Sequence, residues 1–403
     1  MNERNKLTFV GLELEDHPLF DKKISFFVNS DQKVYTDKAD QLVHLAGRLW
    51  INKLIALVGK NATGKTTILK LIIGTLSLLL EDESISHTKL NDVLMGNNPI
   101  KINTFFYGSD KFMYKDELIL KRDTNKKWII ASEKIYRKKL TARLAKKSLF
   151  EFDGKQIIYD RKDIDGVAAS VLAADDSIFR IIRKANNYRV QSIVDTLIFT
   201  NINALFYPYD SQDVPPEILE YLDPTIDYLK IDNVEVDSNN RTAFYRLKFK
   251  HSNEEITDTN FATIENYLSS GTAKGVTLYG NILYALRTGG IIFIDELENH
   301  FNHAIVRTFI EYFVNNRINK NNATIIFSTH YSELLDDFER GDEIYITKRD
   351  NNIHLQRYSS AKIRSELNKG EVFDSDYLGG TAPEYDAYLK LRKATERAIQ
   401  DDE

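Results

Sequence analysis

The sequence predicts an α/β fold: a buried parallel sheet that carries a phosphate-binding loop, with antiparallel strands before it and a large insertion within it. Three stretches carry that prediction. The apolar run Leu54-Ile55-Ala56-Leu57-Val58 leads directly into Gly59-Lys60-Asn61-Ala62-Thr63-Gly64-Lys65-Thr66. That octet fits G-x-x-x-x-G-K-[ST], with the strand before it and the helix after it that the pattern requires. Gly290-Ile291-Ile292-Phe293-Ile294-Asp295-Glu296 is an apolar strand ending in two acids, and Ala323-Thr324-Ile325-Ile326-Phe327-Ser328-Thr329-His330 is another ending in a histidine. In open parallel sheets the C-terminal strand ends face the ligand crevice, so these stretches deliver their polar ends to one place.

The elements follow in order from pattern. Leu7 to Leu14, Ile24 to Val28 and Trp50 to Val58 read as antiparallel strands, the second with Ile24, Phe26 and Val28 on one face at a period of two. A helix runs from Gly64 to about Leu80. Its apolar run from Ile68, interrupted by Lys70, is too short to span a bilayer. Ile102 to Tyr107, Leu118 to Leu120 and Trp128 to Ala131 read as strands. A helical stretch from about Ile178 to Ala204 leads to the break at Val214-Pro215-Pro216, and strands follow at Tyr228 to Val236 and Ala243 to Phe249. About 200 residues thus separate the phosphate loop from the next motif, which implies an inserted lid subdomain over 85–235.

Composition narrows the classes. A chain of 403 residues suffices for one elaborated domain or two. With 42% hydrophobic and 28% charged residues it has the balance of a globular protein. The absence of cysteine excludes disulfides and thiolate metal sites, and it fits a reducing, cytoplasmic setting. The opening Met1-Asn2-Glu3-Arg4-Asn5-Lys6 lacks the apolar core of a signal peptide. A net charge of −5 gives no global attraction to nucleic acid or to anionic lipid, and no membrane partner is expected.

The motif residues have specific chemistry. Two glycines let the loop wrap so that successive N–H groups point at phosphates, and the helix N-terminus adds partial positive charge. Nucleotide contacts are therefore expected from Gly59, Lys60, Asn61, Ala62, Thr63, Gly64, Lys65, Thr66 and Thr67. Lys65 reaches the β- and γ-phosphates, while Thr66 and Asp295 are the expected Mg²⁺ ligands. Glu296 is placed to orient or deprotonate the attacking water, and His330 to hydrogen-bond that water or the γ-phosphate. The catalytic set is then Glu296, His330 and Lys65. No guanine-reading motif is visible, so ATP is the expected nucleotide. Tyr267-Leu268-Ser269-Ser270-Gly271-Thr272 precedes the apolar-periodic stretch Val276 to Leu286. It reads as a second anion nest of hydroxyl and N–H groups, or as an ordinary helix N-cap.

The order of these motifs resembles the ABC-type ATPase superfamily, in which the Ser-Gly nest is the signature loop. More narrowly, it resembles stand-alone AAA-family ATPases related to the SMC, RecF and OLD ATPases, many of them from bacterial phage-defence and abortive-infection systems. The likeness is densest over 50–75 and 260–350. It implies a P-loop NTPase built as an ABC-type ATPase head with an N-terminal antiparallel β-subdomain and an inserted lid subdomain. The expected division is head over 1–84, lid over 85–235, head over 236–350 and a closing segment over 351–403. In that superfamily two heads sandwich two nucleotides. The resemblance therefore implies a homodimer or higher homo-oligomer, in which Ser269 and Gly271 contact the γ-phosphate held on the partner copy's Lys65. Leu-Ser-Ser-Gly-Thr looks like the defence branch rather than the transporters. Glu298-Asn299-His300-Phe301-Asn302 takes the dimer-contact position without the His-Pro frequent in relatives. Gln156 is the sole Q-loop candidate. The block from Gly370 to Pro383 looks like the closing segment of these ATPases and physically reads as a glycine-rich turn.

Basic residues dominate 121–147, opposed only by Asp123 and Glu133. The segment is either a solvated lid face or a site for nucleic acid or an acidic partner, with Trp128 and Tyr136 as candidates for stacking on bases. About 70 residues follow His330, fewer than an appended nuclease needs, which points to a separately encoded protein effector. The expected function is an ATPase acting as a nucleotide-driven dimeric switch in antiviral defence, holding or releasing that effector. The alternative is a DNA-maintenance ATPase that binds DNA through the basic lid.

Overall fold

Near-continuous burial marks Lys6–Glu15 and Ile100–Gly108 of the first sheet and the central strands of the second, while burial alternates along Phe112–Arg122. The computed structural model describes residues 5–141, 145–164, 172–202, 205, 214–237, 240–299, 301–361, 363, 367–378 and 385–400. The chain opens with β1 (Lys6–Glu15), β2 (Lys23–Phe27) and a hairpin of β3 (Leu42–Ala46) with β4 (Leu49–Asn52). β5 (Leu54–Val58), buried at every residue, enters the phosphate loop, and α1 (Lys65–Leu80) leaves it. An antiparallel series follows: β6 (Ile100–Gly108), β7 (Phe112–Arg122), β8 (Trp128–Lys139) and β9 (Ile157–Asp160). Two short strands, β10 (Arg189–Val190) and β11 (Ile193–Asp195), precede a separate sheet of β12 (Ile226–Asp237), β13 (Asn240–Phe249) and β14 (Glu255–Asp258). Next come α2 (Ser270–Thr288), β15 (Ile291–Ile294), α3 (His303–Val314) and β16 (Thr324–Thr329). The hairpin β17 (Ile344–Arg349) and β18 (Ile353–Arg357) is followed by α4 (Lys369–Asp374) and α5 (Tyr385–Gln400).

The central sheet has the order β11-β15-β16-β5-β17-β18. Its first five strands are parallel and only β18 is antiparallel. Its two faces feed two cores at the period of two that strand geometry imposes. Ile55, Leu57, Phe293 and Ile326 pack on α1 and the antiparallel sheet. Leu54, Ala56, Val58, Ile292, Ile294, Ile325 and Phe327 pack toward α2 and α3. The mixed α/β architecture with a parallel sheet is the expected one.

Several elements differ from the sequence expectation. The run Trp50 to Val58 is not one antiparallel strand. It breaks at Lys53, which is fully buried with Nζ donating to Asp40 O at 3.0 Å and to Asn316 Oδ1. Holding that ammonium sends β4 and β5 into different sheets. Strands β6 to β9, expected within an inserted lid, extend the sheet β10-β1-β6-β7-β8-β9 from β1, antiparallel at every pair but β1–β10, and 193–195 pair with β15. The helix expected over Ile178 to Ala204 is confined to Arg180–Ala185. It stops where Asn187 turns to φ 50°, and the β-branched residues beyond are drawn into the edges of both sheets. The expected turn after Gly370 is helical through Asp374, with Val372 and Phe373 in the second core. Gly379, Gly380, Thr381, Ala382 and Pro383 lie outside the described residues.

A buried charged cluster joins the two sheets. Asp342 Oδ2 accepts from Ser30 Oγ at 3.0 Å, from the N–H groups of Asp31 and Gln32 at 2.9 Å, and from Arg340 Nη2 at 2.6 Å. Burial pushes this carboxyl up, but the Arg340 hydrogen bonds and the charges of Arg357 and Arg340 outweigh it and hold it below the ordinary carboxylate value. Glu343 next to it lacks comparable donors. Burial, and then the Asp342 charge, raise its pKa to about 8. A raised carboxyl stabilises the fold fully below its unfolded pKa, and that contribution is lost as pH rises through the folded value. Glu343→Gln is therefore expected to match the parent at about pH 5 and to exceed it by about 3 to 5 kcal/mol at about pH 9. Denaturant melts at the two pH values check this; equal stability at the higher pH would show that the fold does not raise the Glu343 pKa.

Candidate functional site

The phosphate loop is held open by its backbone. Gly64 sits at φ 96°, in the region where a side chain is strained, and its absent Cβ leaves room for Ile353 of β18. Below the loop, the Thr347 hydroxyl of β17 donates to Val58 O at 3.2 Å and shares a hydrogen bond with the Thr63 hydroxyl at 2.7 Å. No side chain caps α1, so its first-turn N–H groups are available to an anion. Asn61, Ala62 and Thr66 are exposed at the mouth, Lys60 and Thr67 are half-buried, and Thr63 and Lys65 are buried.

Four segments converge on this mouth. Lys65 Nζ donates to Gly59 O at 2.8 Å and Lys60 O at 2.9 Å, and it lies 3.2 Å from His330 Nδ1. Burial lowers the Lys65 pKa to about 8 against the opposing pull of Asp295, Glu298 and Glu296. The Thr66 hydroxyl donates to Asp295 Oδ2 at 2.6 Å. His330 Nε2 is 3.3 Å from Glu296 Oε1. His330 Nδ1 also lies 3.1 Å from Gly59 O, so the tautomer protonated on Nε2 donates to Glu296 and accepts from Lys65, whereas the one protonated on Nδ1 donates to Gly59 O. Lys65, Thr66, Asp295, Glu296 and His330 are thus brought together.

Glu296 has φ 49°, a left-handed backbone that costs a non-glycine residue about 1–3 kcal/mol. What holds it there is Ser328. That hydroxyl donates to Asp295 Oδ1 at 2.5 Å and accepts from Glu296 N at 2.8 Å, so one side chain fixes both acids. Glu298 does the same for the histidine, its Oε1 accepting from His330 N at 2.5 Å. Its Oε2 is buried without a protein partner among the described residues. Neither role was legible in the sequence, although the spacing of Glu296 and Glu298 was a signal that a second acid could return to the site.

Ser269 and Gly271 are not brought to this mouth. Ser269 caps α2: its Oγ accepts from Thr272 N at 3.0 Å and shares a hydrogen bond with Thr272 Oγ1 at 2.8 Å. A link from α2 to the acids exists one turn later. Lys274 Nζ and Asn299 Nδ2 both donate to Thr200 O, at 2.8 and 3.1 Å, beside a cavity of about 40 Å³ that also touches Asp295 and Glu296. Gln156 is taken up in a local turn, its Oε1 accepting from Asp153 N at 3.1 Å. His300 lies outside the described residues.

Three cations of the basic segment are spent on the fold itself, while Lys121, Lys126, Lys127, Arg137 and Lys139 are exposed. Lys138 donates to Ser148 O and Glu151 O, Lys146 to the carbonyls of 30–32, and Arg122 to Gly96 O and Lys126 O while stacking on Trp128. Trp128 and Tyr136 are 6% and 8% exposed. That is too little for base stacking, which corrects the expectation placed on both rings. Arg143 and the Lys147 side chain lie outside the described residues.

One family model spans the segments that build this site. The sequence model of the family described as "AAA domain, putative AbiEii toxin, Type IV TA system" matches residues 54–336. The span opens on β5 and closes just beyond His330. No curated protein matches the chain.

Proposed function

The chain belongs to this AAA-domain family, and from that premise we propose that it works as a nucleotide-driven dimeric switch of the ABC type. Family membership makes it a P-loop ATPase. The convergence of Lys65, Thr66, Asp295, Glu296 and His330 at one loop mouth carries the catalytic reading. The α1 N–H groups and Lys65 hold the phosphates, Glu296 takes or orients the proton of the attacking water, and His330 steadies Glu296 from the other side. Thr66 and Asp295 offer adjacent hard oxygens that fit Mg²⁺. Bound there, the ion offsets charge on the β- and γ-phosphate oxygens.

The dimer completes the site. Ser269 Oγ is engaged at its own helix start, with Thr272 N and Oγ1, and in this reading Ser269 and Gly271 of a second copy are the groups that cover the γ-phosphate. No described helix is long and apolar enough to cross a membrane. We place the switch in the cytoplasm, in abortive-infection or antiviral defence. The family description names a toxin–antitoxin context, which supports a separately encoded protein effector that is held or released as nucleotide turns over.

Ser269→Arg is expected to abolish ATP hydrolysis while leaving ATP affinity within about twofold, because it obstructs only the composite site. Unchanged turnover would argue against the sandwich. The effector is tested by purifying Glu296→Gln from its host with nuclease treatment. A stoichiometric protein supports the switch, whereas nucleic acid without a protein partner redirects the reading to DNA maintenance.

A further inference from the structure

Strand β16 delivers His330 to the nucleotide crevice at one end and opens at the other on a second cavity, apolar along Val43, Leu45 and Ile51 and polar on its remaining wall. This cavity, of about 270 Å³, lies against Thr324, the first residue of β16, with Lys6, Thr8, Ser109, Gln191 and Asn322 on its wall. No described carboxylate lines it. Lys6 and Arg189 are Cα partners in the parallel pairing of β1 with β10, so two cations stand in register, an arrangement that repels. Burial and the Arg189 charge both lower the Lys6 ammonium.

The neighbouring acid does not relieve this. Asp110 Oδ2 accepts the Tyr188 hydroxyl at 2.5 Å and its Oδ1 accepts Phe112 N at 3.4 Å. The wall does hold neutral hydrogen-bonding groups. Ser109 Oγ accepts from Lys6 N at 2.8 Å, and Gln191 Oε1 accepts from Phe9 N at 2.9 Å, which leaves the Gln191 amide nitrogen as a donor.

We propose that this cavity binds a small phosphate-bearing anion, with the Lys6 ammonium as its charge partner and Thr8 and Gln191 as neutral donors. A doubly charged oxyanion takes a charge-assisted hydrogen bond from the Lys6 ammonium and offsets its repulsion from Arg189, whose guanidinium stands off the cavity wall and donates to Thr288 O at 3.1 Å. The site is separate from the nucleotide crevice and does not rest on the reading given to that crevice.

Inorganic phosphate is the probe, and full-length Lys65→Ala removes the competing phosphate loop. Calorimetric titration of that variant is expected to show one phosphate site. Adding Lys6→Met weakens it about tenfold or more, while Lys6→Arg restores it. Thr8→Val carries the same test at a neutral donor should Lys6→Met fail to fold. Absence of phosphate binding to Lys65→Ala, or binding that Lys6→Met and Thr8→Val leave unchanged, overturns the proposal.

Discussion

Replacing Glu296 by Gln is expected to slow ATP turnover by about 10²–10⁴ while leaving ATP affinity nearly unchanged, the range that loss of a positioned general base produces. The substitution keeps the shape of the side chain and its contact with His330, 3.3 Å away at Oε1, but removes the proton acceptor. The backbone at φ 49° is held by Ser328 Oγ through the Glu296 N–H, an interaction the variant retains, so the loss reports chemistry rather than misfolding. Single-turnover phosphate release and equilibrium nucleotide binding, measured on the same preparation, separate the two. Turnover at the parent rate would remove Glu296 from the mechanism. Under the proposed dimeric reading the same variant is expected to accumulate a closed dimer with ATP, which size-exclusion chromatography checks.

Lys65→Ala is expected to weaken ATP binding by roughly 30- to 1000-fold, corresponding to about 2–4 kcal/mol for a desolvated, charge-assisted contact. Burial holds the ammonium at a pKa of about 8. It is therefore mostly charged at neutral pH, and phosphate raises it further. The sign of the pH effect follows: the parent's ATP affinity falls as pH climbs above about 8, because binding must then take up a proton. Lys65→Ala lacks that slope. Titrations across pH with both proteins make the check, and a parent affinity flat in pH together with undiminished binding by Lys65→Ala would show that Lys65 does not hold the phosphates.

Glu298 marks where a motif shades into architecture. By resemblance it belongs to a dimer-contact segment, yet its carboxylate reaches back to His330 N across 32 positions in sequence. Trp128 and Tyr136 show the converse. Their interleaving with lysines and arginines suggested stacking, but both rings are buried, Trp128 in the first core and Tyr136 edge-on against Phe152, and Arg122, Lys138 and Lys146 are consumed by backbone carbonyls. Charge composition reports how many cations there are. It does not report how many the fold has already used.

The sequence by itself determined the parallel α/β class, the phosphate loop, and the strand ends that carry Asp295, Glu296 and His330. Each of these is a property of contiguous chain: a strand, a turn and a helix start place their polar atoms through local backbone geometry. Tertiary structure alone decided what holds them in place. Ser328 fixes Asp295 from 33 residues away and Thr347 supports Thr63 from 284, while buried Lys53 splits one apolar run between two sheets. Such contacts have no sequence period, because they depend on which strands become neighbours, and neighbour order is set by packing the whole chain around two cores.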